Sequence, residues 1–557
     1  VSVFVAETGS GKSTQIVQYL QTSGLFPGKI ACTQPRRLAA RSLSEYVAKQ
    51  MNCKNGGLVA SMVGGKAVKE ETKIVFMTDF QLLKLCVSDP RLSEYNCIVV
   101  DEAHERNLHT DLIIVFSMIS QKLMPKIPGR VYRVDVHYSD KKMDKSEKYF
   151  ETAVDKVVEL CLDRNVPHGN MLVFLTTPKD TENASALFQR KIGTQSKIPS
   201  YPLHGQLQPE DQQLAMEEVK DKNSRKVIFA TNCAETSLTI PGVVVVVDSG
   251  LSKQNAFDPV RNMDALVVGE ISRNSADQRK GRAGRTQNGC CYRLYTQAEY
   301  EAMSESTVPE IQRIDLSGVA IRILELGLNP LEFDYLTPPS RQGLNSAMSA
   351  LEFIGAFSEG QLTELGKKIA KIPAEPRLAK MILLLYENNL AMEGMVLASL
   401  ITLSGQVFFR GKTDAERQDA TKTKEFYASD DGDLLTSLQV FKDWRSRPDN
   451  LRTKWSVKNC VNNKSMRSVN EKVADLQRAI KYDLKMQVSE TFSDDRNFAS
   501  AVQECIYRVF SDKLCAYSGN PRIGFVEVST GQLLKIHPSS VFSNAVNIPV
   551  RCVHQIA

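Results

Sequence analysis

A chain of 557 residues that is 42% hydrophobic and 24% charged can bury several cores, which excludes a disordered chain and leaves room for roughly three to five domains. Its net charge of +6, from 70 Lys+Arg against 64 Asp+Glu, is too mild to imply nucleic acid by itself, so a basic groove has to be argued from local patches. No apolar run approaches membrane-spanning length, so no membrane partner is expected, and the 12 cysteines are scattered without a C-x-x-C pair, as in an intracellular protein of nucleus or cytoplasm with reduced thiols.

In chain order, residues 1–5 (V-S-V-F-V) read as the tail of a buried strand, so the chain is expected to start inside an element. Residues 6–14, A-E-T-G-S-G-K-S-T, follow. Gly9 and Gly11 can take backbone angles that other residues resist. Such a loop turns N–H groups inward around phosphate oxygens, with a helix N-terminus behind it. The candidate binding residues are Thr8, Gly9, Ser10, Gly11, Lys12, Ser13 and Thr14. Lys12 offers a positive charge to the outer phosphates, and the Ser13 hydroxyl suits Mg2+. The first glycine usual in this motif is here Ala6.

A helix over 15–21 and a short strand over 30–33 lead to Gln34-Pro35-Arg36-Arg37. Arg36 and Arg37 at a strand end suit a phosphodiester backbone, with a solvated turn as the alternative. A helix over 38–51, a strand over 73–77 and a helix to 85, capped by Thr78 or Asp79, complete the alternation of a parallel α/β sheet. The run 97–100, C-I-V-V, predicts a strand buried on both faces and ends at Asp101-Glu102-Ala103-His104. In one sheet with a phosphate loop, Asp101 suits Mg2+ held directly or through water. Glu102, beside the same metal, suits orienting and deprotonating an attacking water.

The stretches A-E-T-G-S-G-K-S, T-Q-P-R-R, T-D-F and D-E-A-H resemble the DEAH-box RNA helicases of helicase superfamily 2. That resemblance implies an α/β chain of two tandem RecA-like P-loop domains followed by winged-helix, helical-bundle (ratchet) and OB-fold domains. The expected boundaries are 1–128, 129–306 with a β-hairpin at 252–271, 307–375, 376–495, and a truncated OB-fold at 496–557. It further implies ATP and Mg2+, and adds His104 and Thr239 to the nucleotide contacts. Thr78, Thr176, Thr177, Thr231 and Asn232 join Arg36 and Arg37 as RNA contacts. One departure stands out. After a helix over 111–122 the family has a strand ending in Ser-Ala-Thr, whereas this chain runs from Leu123-Met124-Pro125 straight to Ile127-Pro128-Gly129-Arg130, the family's connector. Two readings stand: a strand that the full protein carries near 124–126 and this sequence omits, or a true deletion that leaves unpaired backbone in the sheet.

The second domain is again α/β, with strands over 171–176, 200–205 and 225–230, the stretch T-N-C-A-E-T-S-L-T-I-P-G at 231–242, and a valine run at 243–247. Residues 253–271 read as two short strands around Asp258-Pro259, similar to the family's long hairpin. In Q-R-K-G-R-A-G-R (278–285), Ser275 and Gln278 have capping-box spacing, so the arginines are expected to begin a helix with Arg282 and Arg285 on one face. From there they can reach a γ-phosphate across a cleft, with Gln278 helping to position water. The family's adenine-sandwiching positions hold Tyr46 and Leu251.

From Pro309 onward the alternation ends. Helices are expected over 316–326, stopped by Gly327, over 342–354, and as a pair over 377–403. Asp430-Asp431-Gly432-Asp433 through Trp444, Trp455 and 458–467 match the ratchet domain. The basic stretch 445–472 is either a solvated surface or a groove wall for RNA. Residues 499–557 turn strand-like, with a hairpin of 523–528 and 533–536 about Thr530-Gly531. The I-H-P-S-S at 536–540 matches the family's OB-fold signature, with His537 structural rather than metal-bound. The chain is thus expected to be an ATP-dependent RNA helicase moving 3′-to-5′ on single-stranded RNA or RNA with a 3′ overhang, and remodelling duplexes or ribonucleoproteins, with protein activators as further partners. An RNA-binding scaffold with an impaired motor and a DNA helicase are the alternatives.

Overall fold

The structure is a computed structural model that describes residues 11–62, 68–89, 91–117, 132–193, 198–205, 207, 209–217, 225–235, 240–258, 263–284, 287–403, 407–408, 414–493, 498–521, 523–537, 540–543, 549 and 551–553. Two compact units divide the chain. The first comprises 1–258, 262–314 and 334–340, and the second 259–261, 315–333 and 341–557.

The first unit opens with α1 (Lys12–Thr22), β1 (Lys29–Gln34), α2 (Arg37–Gln50), β2 (Val59–Met62), β3 (Ile74–Thr78), α3 (Asp79–Ser88), β4 (Tyr95–Val100) and α4 (Leu108–Ser117). The strands form a parallel sheet in the order β2-β3-β1-β4. Val17, Val47, Ile74 and Phe76 pack into one core beside it. The Thr78 hydroxyl caps α3 by accepting from the Gln81 amide at 3.3 Å, as the sequence predicts.

One expectation fails here. Among the described residues the C-I-V-V strand β4 ends this sheet, pairs with β1, and is nowhere fully buried; Ile98 is 36% exposed. The strand expected over 1–5 and the stretch 124–126 lie outside the described residues. An unbroken apolar run predicts burial on both faces only where other elements cover both faces of the sheet. Among the described residues no strand follows on the outer side of β4.

The second half of this unit contains β5 (Val134–Tyr138), α5 (Tyr149–Leu162), β6 (Asn170–Phe174), α6 (Pro178–Ile192), β7 (Ser200–Leu203), α7 (Pro209–Met216), β8 (Val227–Ala230), β9 (Val243–Asp248), β10 (Leu251–Asp258), β11 (Met263–Glu270), α8 (Arg273–Lys280), β12 (Gly289–Arg293) and α9 (Gln297–Ala302). Six of the strands form a second parallel sheet, β5-β12-β9-β6-β8-β7. Alternation along each strand feeds two cores. Met171 and Val173 pack on one side with Phe188 and Phe229, while Leu172 and Phe174 pack on the other with Ile228 and Val246. Strands β10 and β11 pair as an antiparallel hairpin, longer than the two short strands expected.

In the second unit the chain is mostly helical: α10 (Ser317–Glu325), α11 (Arg341–Phe353), the small pair β13 (Phe357–Ser358) and β14 (Gln361–Leu362), α12 (Glu364–Lys371), α13 (Pro376–Glu387), α14 (Ala391–Ile401), α15 (Asp414–Tyr427), α16 (Asp433–Ser446), α17 (Asp449–Lys458), α18 (Asn463–Arg478) and α19 (Phe498–Phe510). An antiparallel sheet of β15 (Leu514–Tyr517), β16 (Phe525–Glu527), β17 (Leu533–Leu534) and β18 (Arg551–Val553) follows, in the order β17-β16-β15-β18. The strand-like character expected from 499 therefore begins only at Leu514. Residues 498–510 are helical because Val502, Cys505, Val509 and Phe510 recur at helical spacing and are buried. Among the described residues no helix is long and apolar enough to cross a membrane, and all 12 cysteines are free thiols.

Candidate nucleotide site

The C-terminal ends of parallel strands are where open α/β sheets gather ligand-binding groups. In the first sheet these ends carry Gln34, Thr78 and Asp101. Helix α1 starts beside them at Lys12, after Gly11 in left-handed backbone at φ 83° and ψ 14°. Its first turn holds no acidic residue, and Gly11 provides no side-chain cap, so the end of the helix dipole is left to an anion. The loop residues Thr8, Gly9 and Ser10 lie outside the described residues.

Asp101 is fixed by two hydrogen bonds. Gln34 Nε2 donates to its Oδ2 at 2.7 Å, and the Glu102 amide donates to its Oδ1 at 2.9 Å. Each oxygen keeps a further lone pair. Sequence reasoning took the arginines of T-Q-P-R-R as the functional pair and missed Gln34, whose role depends on β1 and β4 being neighbours. Glu102 has left-handed backbone at φ 53°, and its carboxylate lies 3.4 Å from His104 Nε2. Burial pushes the Glu102 carboxyl up to about 7. The negative charges of Asp101 and Glu105 push the same way, while Lys12 and Arg282 pull it down. Burial lowers the His104 imidazole, Lys12 adds to that, and the acids Glu105, Asp101 and Glu235 oppose it. Groups of both sheets, Lys12 on one and Arg282 and Glu235 on the other, thus act on the D-E-A-H turn.

The second sheet presents its part through α8. Here the expected cap is corrected: Ser272, not Ser275, is the N-cap, accepting from the Ser275 amide at 3.2 Å. The helix ends at Lys280, so the arginine run closes the helix instead of beginning one. Arg282 therefore sits in the turn 281–284, not on a helical face shared with Arg285; Arg285 itself lies outside the described residues. Arg282 is 5% exposed and donates through Nη2 to the Glu235 carbonyl. Gln278 is half-buried on α8. Gly289 lets β12 approach this turn, since a Cβ there would fall 2.7 Å from the Ala283 carbonyl.

The residue that organises this side is one the sequence reading passed over. Arg279 is fully buried, bonded to Glu235 Oε2 at 3.0 Å, Asp248 Oδ1 at 2.8 Å and the Leu251 carbonyl at 3.2 Å. Its guanidinium lies 4.8 Å from the Phe174 ring centroid, and Tyr295 donates to the other Asp248 oxygen at 2.9 Å. A basic residue in a polar run gives no local sign of burial. The signal lay in the buried acids that end β9 and start the 231–242 stretch.

Other candidates are engaged locally. Thr176 donates to Asp180 at 2.9 Å and is bonded by Tyr149, and Thr177 caps α6 by accepting from the Asp180 amide at 3.1 Å. Thr231 is buried at the end of β8 and Asn232 beside it is exposed. Thr239 lies outside the described residues. Arg36 and Arg37 are exposed at the end of β1, and Arg36 approaches Glu105 at 4.0 Å. Of the two adenine positions, Tyr46 is 53% exposed, but Leu251 is 3% exposed in the core of the second sheet and presents no face to a base.

Residues 152–287 match the helicase conserved C-terminal domain. Among curated proteins, the chain is 33% identical to two proteins of Arabidopsis thaliana, the ATP-dependent RNA helicase DEAH11, chloroplastic, and the ATP-dependent RNA helicase DEAH12, chloroplastic. Each similarity covers 97% of this chain and 32% of the relative, so the chain spans about a third of their length. Among solved structures, the E. coli DExH-box NTPase HrpB superposes with a TM-score of 0.73 at 23% identity, covering 97% of this chain and 62% of that one. A second structure, titled as the Escherichia coli DEAH/RHA helicase HrpB, gives 0.75 at 24% identity over 96% of this chain and 64% of its own. The fold is that α/β helicase fold with parallel sheets.

Proposed function

We propose, from its similarity along 97% of its length to two DEAH-box RNA helicases, that this chain is a DEAH-box ATP-dependent RNA helicase or translocase. The observation that carries the reading is the convergence on Glu102. A carboxyl raised to about 7 by burial stands under the opposing charges of Lys12 from one sheet and Arg282 from the other.

ATP is the substrate of this reading. The N-terminus of α1 with Gly11, Lys12, Ser13 and Thr14 receives its phosphates, and Thr8, Gly9, Ser10, His104 and Thr239 complete the contacts. The residues present fit a magnesium ion: the Ser13 hydroxyl and the open lone pairs of Asp101 are hard oxygen donors, few enough to leave room for waters and phosphates. Glu102 adjoins the same ion. When bound, the ion neutralises charge on the phosphate oxygens. Glu102 accepts the proton of the attacking water, Gln278 orients that water, and Arg282 with Arg285 meets the negative charge that builds up on the transferred group.

Arg36, Arg37, Thr78, Thr176, Thr177, Thr231 and Asn232 follow RNA along the strand ends. We assign 1–128 and 129–306 to RecA-like domains, with 252–271 as the hairpin. The same reading gives 307–375 to a winged helix, 376–495 to a ratchet bundle and 496–557 to an OB-fold, its sheet starting at Leu514. Movement is 3′-to-5′ on single-stranded RNA or from a 3′ overhang, remodelling duplexes or ribonucleoproteins, with protein activators as partners.

Lys12→Ala and Glu102→Gln are each expected to abolish RNA-stimulated ATP hydrolysis; unchanged hydrolysis in either sinks the assignment. A second reading, an RNA-binding scaffold with an impaired motor, is favoured by the run from Leu123-Met124-Pro125 straight to Ile127-Pro128-Gly129-Arg130, without the family's Ser-Ala-Thr stretch. ATP-dependent unwinding of an RNA duplex with a 3′ overhang decides between the two, and the same duplex made of DNA tests the choice of nucleic acid.

A further inference from the structure

The turn that carries Glu102 and His104 is bracketed by two non-glycine residues in left-handed backbone, Glu102 at φ 53° and Arg106 at φ 51°. The 3-10 turn Ala103–Glu105 lies between them. Such backbone persists only where the surroundings over-determine it. At Glu102 the side chain of Asp101 holds the amide. At Arg106 one holding group is near, Asp111, and two come from far along the chain, Glu310 and Thr337. Its guanidinium binds Asp111 through two hydrogen bonds, of 2.8 and 2.9 Å, and Nη2 also donates to Thr337 Oγ1 at 2.7 Å. The Glu310 amide donates to the Arg106 carbonyl at 3.1 Å, and Glu310 Oε2 accepts from the Leu108 amide at 2.7 Å.

Glu310 and Thr337 have a particular place in the chain. The first unit is left at Ile314 and re-entered at Asp334, and the two residues lie just inside those points. Both passages of the chain are therefore fastened to the residue that ends the D-E-A-H turn. We propose that Arg106, Glu310 and Thr337 form a latch that positions the Glu102 turn for hydrolysis and ties its conformation to the chain segments leading to the second unit. Arg106 suits this because its planar fork holds Asp111 through two parallel bonds while Nη2 remains able to reach Thr337. These three are positioning residues; none needs to touch the nucleotide. The inference rests on the hydrolysis reading for its kinetic consequence, not for the latch itself.

The test uses the full chain with Thr337→Val, which keeps the side-chain shape, and Glu310→Ala. Each is expected to lower kcat of RNA-stimulated ATP hydrolysis by about tenfold, as small displacements of a reacting group do, with KM for ATP changed less than about twofold. Glu310→Gln, which keeps an oxygen for the Leu108 amide, is expected to restore most of kcat. In the nucleotide-free proteins, hydrogen exchange over residues 101–108 should quicken in the two disabled variants and not in Glu310→Gln. Wild-type kcat together with unchanged exchange overturns the latch, and so does a loss of kcat without faster exchange. If the wild-type chain hydrolyses no ATP, the functional reading falls, and exchange alone then decides the latch.

Discussion

Glu102 illustrates how a single residue can be tuned for chemistry at a cost in stability. Its carboxyl titrates near 7 in the folded protein, against 4.5 for an ordinary glutamate. The folded state therefore holds its proton more tightly than the unfolded chain. The stability this confers is fully present below about pH 4.5 and is lost as pH rises through 7, where the folded protein must carry a buried negative charge. Glutamine keeps the shape and never ionises. In nucleotide-free, metal-free protein, Glu102→Gln should match wild type near pH 4.5 and be more stable above pH 8 by on the order of 1–3 kcal/mol. Denaturant unfolding at the two pH values checks this, and a gap independent of pH refutes it. The same variant is expected to be inactive, so a stability gain paired with lost hydrolysis is the signature of a group placed for function. Arg279 is the opposite case. Replacing it with Met leaves Glu235 and Asp248 facing an apolar interior without their cation, and removing one partner of such a buried network costs roughly 3–5 kcal/mol. Urea unfolding of Arg279→Met measures this; a change under about 1 kcal/mol contradicts the assigned network.

At the level of elements, legibility followed the range of the interaction. The start of α3 was readable because a cap acts within a few positions, as with Thr78 and Gln81. The cap of α8 was misread because Ser272 and Ser275 both offer a hydroxyl near the helix start, and which one caps depends on where the chain leaves β11. Lys12, Asp101 and Glu102 stood out from local spacing, whereas Gln34, Glu235 and Arg279 take their roles from strands and helices distant in sequence. Strand β4 shows the limit most clearly, since its composition reports that the run is apolar and not how many neighbours it has. The exposure of Ile98 makes a prediction. Ile98→Lys should cost less than about 1 kcal/mol, because a lysine at a 36% exposed position keeps its ammonium in water. The same change at Val75, fully buried in the interior strand β3, should cost several kcal/mol, on the order expected for an unpaired buried charge. Thermal unfolding of the two variants side by side compares these costs. An equal, large loss at Ile98 would contradict its exposure.

For the whole molecule, the division into two units has a thermodynamic consequence that joins fold to proposed function. Each unit has a core of its own. The first packs Phe174, Phe188 and Phe229 about its parallel sheet, and the second buries Leu378, Val396, Phe441, Trp444 and Val469 among its helices. A chain of this kind is not expected to unfold as one two-state system. All the proposed phosphate and metal ligands, Lys12, Ser13, Asp101 and Glu102, and Arg282 opposite them, belong to the first unit. A ligand that binds only the folded state stabilises what it binds by about 2.7 kcal/mol at a hundred times its Kd. Calorimetry of the full chain should therefore resolve two transitions, and a non-hydrolysable ATP analogue with Mg2+ should raise the midpoint of one by several degrees while leaving the other in place. Lys12→Ala should remove that shift without moving the unliganded midpoints, because the lysine proposed to meet the phosphates is half-buried at the start of α1 and not part of the core. A single transition moving as a whole would mean that the two units unfold together. In that case the latch at Arg106, where the chain leaves and re-enters the first unit, becomes the first place to look for the coupling, and Thr337→Val should split the transition in two.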